Sequence, residues 1–90
     1  MSGFYEWNPN KEDASKHGVP FAAVEGFEWE TAYEARDTRR AYDEVRTVAM
    51  GFIADRLHVM VFCRRAERIR IISLRKANAK EIARYVDFTL

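Results

Sequence analysis

The chain has 90 residues, 48% hydrophobic and 32% charged, with a formal net charge of +1. That length holds one core rather than two, so a single domain over residues 1–90 is expected; the apolar fraction excludes a disordered chain, and no apolar run approaches the ~20 residues of a membrane helix. The near-neutral total hides an asymmetry: residues 1–35 carry two cations against seven acids, net −5, and residues 36–90 carry thirteen against seven, net +6. A basic C-terminal part suits a phosphate backbone or an acidic protein partner, and equally a solvated charged surface. Cys63 is the only cysteine, which excludes an internal disulfide and leaves no nearby thiol for a metal site. The opening MSGFYEWNPN lacks the basic flank and apolar core of a signal peptide, so a reducing cytoplasm is the expected location.

Phe4–Trp7 is short and aromatic and predicts a brief edge strand. Asn8 and Pro9 read as N-cap and first residue of a helix running to about His17 and stopped by Gly18. Phe21, Ala22, Val24 and Phe27 share one face of a second short helix after the Val19–Pro20 turn. From Trp29 the period changes: Trp29, Thr31 and Tyr33 alternate with acidic residues as an amphipathic strand. Residues 37–43 form a charged connection. Val45–Ala54, Leu57–Cys63 and Arg68–Leu74 complete an antiparallel meander with tight turns. Alternation places Ile69, Ile71 and Ser73 on one face of the last strand, and Arg68, Arg70, Ile72 and Leu74 on the other. Arg75 and Lys76 end that strand, and Asn78 caps the next helix, with Glu81 at the capping-box spacing. This helix runs to about Asp87, with Ala79, Ile82, Tyr85 and Val86 toward the sheet. The prediction is an α+β domain: two N-terminal helices, a four-stranded antiparallel sheet with the short N-terminal edge strand, and one C-terminal helix. Helices cover one sheet face and the other stays partly open.

No metal-ligand spacing, phosphate loop or nucleophile elbow is present, so neither a metal nor a cofactor is expected. His58 lies among alternating apolar residues and reads as a sheet-face histidine with a hydrogen-bond partner. His17, beside Lys16 at a helix end, is either a C-terminal capping cation or a general acid and phosphate contact. The richest segment is 36–46, with Asp37, Arg39, Tyr42, Glu44 and Arg46. It reads either as a local salt-bridge network or as a phosphoryl-transfer constellation. Cleaving RNA through its own 2′-hydroxyl requires a base, an acid for the departing 5′-oxygen and cations around the phosphorane. On the second reading Glu44 is the base, Tyr42 or His17 the acid, and Arg46 and Arg75 hold the charge.

Taken together, FYEWNPNK, KHGVPF, DTRRAYDEVR, MGF, RLHVMVF, RIRIISLRKAN and EIARY resemble, in order and over nearly the whole chain, BrnT-type toxins of bacterial type II toxin–antitoxin systems. The resemblance implies a RelE-like fold and an endoribonuclease that inhibits translation and arrests growth. It implies neutralisation by a cognate BrnA-type antitoxin in a toxin–antitoxin hetero-oligomer, with DNA reached only through the antitoxin. Among the positions that match the family's motifs, His17, Tyr42, Glu44, Arg46 and Arg75 are the expected catalytic residues, and Lys11, Lys16, Arg39, Arg70 and Lys76 the expected RNA contacts. Asp43 stands where glycine is common in the family, which keeps a second reading open: a catalytically inactive, toxin-like module that binds an antitoxin or another acidic partner.

Overall fold

The computed structural model describes residues 4–13, 18–38 and 44–89. It is an α+β domain built on a five-stranded sheet. The strands are β1 (Tyr5–Trp7), β2 (Tyr33–Arg36), β3 (Thr47–Ile53), β4 (Arg56–Arg65) and β5 (Arg68–Lys76), in spatial order β1-β5-β4-β3-β2. β2 to β5 form the expected antiparallel meander. β1 is the expected edge strand but pairs with β5 in parallel, so the sheet is mixed. Helix α1 covers Pro9–Asp13 and α2 covers Ala79–Thr89. Asn8 caps α1, its Oδ1 accepting the Asn10 N–H at 2.9 Å. The expected continuation of this helix to His17 lies outside the described residues.

The second helix takes a different form from the one expected. Residues Phe21–Gly26 and Trp29–Thr31 are 3₁₀ turns. Phe21, Val24 and Phe27 are buried at a spacing of three, the period of a 3₁₀ helix, and Ala22, which an α-helical face would have included, is exposed. Trp29–Thr31 is correspondingly not strand. The chain at Phe27 and Glu28 is still bonded to the end of β3, through the Phe27–Ile53 bridge and the Glu28 N–H to the Phe52 carbonyl at 2.9 Å. It turns before it can pair, and the Trp29 indole lies against Phe27 and Phe62 while donating to the Tyr5 hydroxyl at 2.7 Å.

These turns cover one sheet face. Phe21, Val24 and Phe27 pack on Ala49, Met60, Phe62, Ile69, Ile71 and Leu74. The other face carries Met50, Leu57 and Val59, closed at one end by Ala77 and Tyr85. The expected grouping of all helices on one face is therefore corrected: α2 lies across the opposite face from the 3₁₀ layer. Tyr85 directs this packing, its ring edge-on to Phe52 at 5.6 Å and its hydroxyl donating to the Thr31 carbonyl at 2.7 Å. Ile82 and Val86, expected toward the sheet, are 40% and 41% exposed.

A β-bulge corrects the faces of β5. Val61 pairs with Ser73 but Phe62 pairs with Ile71, so Ile72 is the extra residue. Parity inverts there. Leu74 joins Ile69 and Ile71 in the core under the 3₁₀ layer, while Ser73 and Arg75 share the opposite face with Arg70.

The junction from β5 to α2 is a reciprocal capping box. The Asn78 N–H donates to Glu81 Oε1 at 2.9 Å, and the Glu81 N–H donates to Asn78 Oδ1 at 2.9 Å. Arg75 adds a bidentate pair to the same carboxylate, at 2.7 Å on each oxygen. These Arg75 hydrogen bonds hold the Glu81 carboxyl below the usual carboxylate range. The capping box and the pair together predict a loss of about 1 kcal/mol for Glu81→Ala, hence a melting temperature lower by roughly 4–8 °C. A depressed folded-state pKa gives stability that is complete above the unfolded carboxyl value of about 4.3 and is lost as the pH falls through the folded value. Melting curves of the native chain and Glu81→Gln therefore converge below about pH 4; a constant gap down to pH 3 contradicts the pairing.

Candidate functional site

Strand register brings a line of polar residues across the sheet face opposite the 3₁₀ layer; Arg65 and Arg68 on this face are exposed, Arg46 and Arg70 half-buried, and Cys63 and Asp37 buried. Cys63 pairs with Arg70, Arg70 pairs with Glu6, and Arg46 follows the Thr47–Phe62 pair onto the other side of Cys63. Asp37 extends the line at the β2 end, its N–H donating to the Arg46 carbonyl at 2.8 Å. Acid, cation, thiol, cation and acid thus succeed one another over five strands. Arg46 and Arg70 flank Cys63 at about 4.8 Å per strand, close enough for two guanidinium groups to meet over it.

One step further along the strands lie Glu44, Arg65 and Arg68. Arg65 donates to both Glu44 oxygens, at 3.2 and 2.9 Å. Arg70 donates to Glu6 at 3.0 Å, and Arg68 lies 3.8 Å from the same carboxylate. The Arg65 hydrogen bonds hold the Glu44 carboxyl below the usual range, so it is ionised at neutral pH. Burial, and next the Glu44 carboxylate beside it, push the Cys63 thiol up; it stays protonated and donates to Glu44. The result is a surface anion held by one arginine, with Arg46 and Arg70 one row away. Such a group can accept a proton while cations hold an oxyanion.

Of the expected site residues, Glu44, Arg46 and Arg70 are brought together. Arg75 is not: it pairs with Val59, four residues along β4 from Cys63, or about 13 Å at ~3.3 Å per residue. Gly18 forms a bridge with Arg75 at that far end. Lys11 is exposed on α1. Lys76 pairs with His58 and projects from the face opposite Arg75. Lys16, His17, Arg39 and Tyr42, with Asp43, lie outside the described residues. His58 is buried on the covered face, its Nδ1 donating to the Arg56 carbonyl at 2.8 Å, in agreement with the structural reading. Arg65, Cys63 and Glu6 were missed as site residues. β4 runs two residues past Cys63, where a turn was expected, and Arg65 alternates onto the Cys63 face only because it is still strand.

Among the described residues no group of three or more His, Cys, Asp or Glu side chains could hold a metal ion. Among them, too, no helix is long and apolar enough to cross a membrane. No curated protein and no solved structure matches the chain. A family model does: residues 7–81 match the one described as the ribonuclease toxin, BrnT, of type II toxin–antitoxin systems. That span takes in Trp7 of β1, strands β2 to β5 and the cap of α2, with Arg46, Arg65 and Arg70 inside it. The chain accordingly belongs to the BrnT family of ribonuclease toxins, whose type II systems pair a toxin that acts on RNA with an antitoxin protein.

Proposed function

We propose that this protein is a metal-independent endoribonuclease that cleaves RNA on the open sheet face by attack of the RNA's own 2′-hydroxyl. The observation that carries the reading is the gathering of an ionised Glu44 with Arg65, Arg46 and Arg70 on one face of the sheet, with Glu44 and Arg65 exposed. In this scheme Glu44 takes the 2′-hydroxyl proton and Arg65 holds Glu44 in place. Arg46 and Arg70 stabilise the phosphorane, and Tyr42 or His17 protonates the departing 5′-oxygen. Lys11, Lys16 and Arg39 supply outlying phosphate contacts. A cognate BrnA-type antitoxin neutralises the toxin in the cytoplasm, and the complex reaches DNA through the antitoxin.

The test is incubation of the purified protein with RNA in excess chelator, with analysis of the new ends. Cleavage to 2′,3′-cyclic phosphate ends is expected, and co-expression of the antitoxin should restore growth to cells arrested by the toxin. Ends bearing a 5′-phosphate, or cleavage abolished by the chelator, overturn the mechanism. Intact RNA with a folded protein and a tight antitoxin complex replaces it with the binding module.

A further inference from the structure

The open face has a second cationic end that the scheme above leaves unused. Beyond Val61 the sheet forms a groove of about 520 Å³ between α2 and the β2 end. Its floor is apolar, from Val48, Met50, Val59 and Val61, and Arg75 and Arg84 stand on its rim. Phe88 forms one wall. Its ring lies flat on Tyr33, centroids 4.4 Å apart and planes within 6°, yet Phe88 is 56% exposed. One ring face is therefore covered by Tyr33 and the other is presented outward. Glu81 fixes the Arg75 guanidinium at the rim, and Arg84, one turn along α2 from Lys80, is exposed.

An open aromatic face beside guanidinium groups, over an apolar floor, is the arrangement that holds an unstacked base with its phosphate. An acidic peptide would use the cations but leave the flat ring without a stacking partner. The groove also continues toward the Arg46–Arg70 row: Val61 on its floor is two residues from Cys63 along β4, while its Arg75 end is about 13 Å from Cys63, farther than one phosphate reaches. We infer that this groove is a nucleobase subsite for the RNA strand, with Phe88 as its stacking platform and Arg84 and Arg75 as its phosphate contacts. The strand then runs along β4 from the Arg46–Arg70 row, over Val61 and Ser73, to Phe88. The inference rests on the ribonuclease reading of this face, and it makes the ligand an oligonucleotide rather than a mononucleotide.

The experiment uses the full chain and 2′-O-methyl oligoribonucleotides of one to six nucleotides, which cannot be cleaved through a 2′-hydroxyl, with binding followed by fluorescence anisotropy. Affinity should rise once the oligomer spans both ends. Phe88→Ala and Arg84→Ala should each lose about tenfold for the longer oligomers and nothing for the mononucleotide, while Phe88→Trp retains the gain. In cleavage assays on unmodified RNA, both substitutions should raise KM and leave kcat unchanged. Circular dichroism checks that α2 survives Phe88→Ala, and Arg84→Ala tests the same subsite from an exposed position. Long oligomers that bind all three proteins equally, while Arg70→Ala weakens them, overturn the subsite and leave the ribonuclease reading standing. Loss of antitoxin binding in Phe88→Ala and Arg84→Ala, with oligomer affinity intact, also overturns it and assigns the groove to the protein partner. A native chain that binds no oligomer and cuts no RNA removes both readings together.

Discussion

Replacing Gly51 with Val is expected to remove about 3 kcal/mol or more of stability, and replacing it with Ala about 1–2 kcal/mol. A β-carbon at this position would stand 2.5, 2.9 and 3.0 Å from three atoms of the Phe27 ring, closer than side-chain carbons approach. The ring cannot easily retreat. Phe27 is 5% exposed, lies edge-on to Trp29 at 4.8 Å, and its backbone is bridged to Ile53. Opposing this, a glycine inside a strand costs roughly 0.5–1 kcal/mol relative to alanine, so alanine recovers part of what the collision costs. Denaturant titration checks it: the midpoint should fall with the m-value unchanged. The double substitution Gly51→Ala with Phe27→Leu should lose less than the sum of the two singles, because removing the ring removes the collision. Additive losses, or a Gly51→Ala protein as stable as the native chain, would contradict the close packing of ring on strand.

Gly51 also shows what kind of information the sequence carried. The alternation of Val48, Met50 and Phe52 against Ala49 and Gly51 was readable and is realised, because a strand's side chains have no freedom of face once it is paired. The reason for a glycine in the middle of that strand was not readable, since Phe27 lies far off in sequence and reaches Gly51 only through the 3₁₀ layer. Period-two patterns were reliable where the ladder was continuous and misleading where it was not. At Trp29–Tyr33 the same alternation arises from an indole docked on the core, and a turn intervenes. At Ile72 one extra residue inverts every later position of β5, which moves Leu74 into the core and Arg75 to the open face.

The candidate site was legible to a similar depth. Asn78 and Glu81 were readable as a cap because the capping box is a local motif with a fixed spacing. Glu44 and Arg46 could be singled out by residue type, but Arg65, which holds Glu44, is 21 residues away and comes to it across the sheet. Cross-strand partners depend on where each strand ends, and strand ends are set by pairing rather than by composition. Arg46 and Arg75 do share a face, because of the bulge, but the register sets Arg75 opposite Val59, four residues along β4 from the Cys63 row, and that offset was not readable.

That separation shapes the largest expected effect on activity. Arg46→Ala should lower the cleavage rate by about 10²–10³-fold, the loss that follows removal of one preorganised group at a developing oxyanion. Arg70→Ala should do the same on the other side of Cys63, whereas Arg75→Ala, about 13 Å along the sheet, should act mainly through KM. Charge alone does not suffice at the near end: Arg46→Lys keeps the cation but loses the planar fork that meets two phosphate oxygens, so it should restore only part of the rate. On the proposed scheme Glu44→Gln removes the proton acceptor, and it leaves Arg65 with a neutral partner. Its pH profile separates a base from a structural anion. In the native chain the rate should fall as the pH drops through the depressed Glu44 pKa, below the ordinary carboxylate range, and this acid limb should vanish in Glu44→Gln. Single-turnover cleavage, measured with each variant's melting temperature, distinguishes these effects from unfolding. An Arg46→Ala protein that is folded and cuts RNA at the native rate would move the chemistry away from the Cys63 row. A low-pH limb that persists in Glu44→Gln would assign the base to another residue.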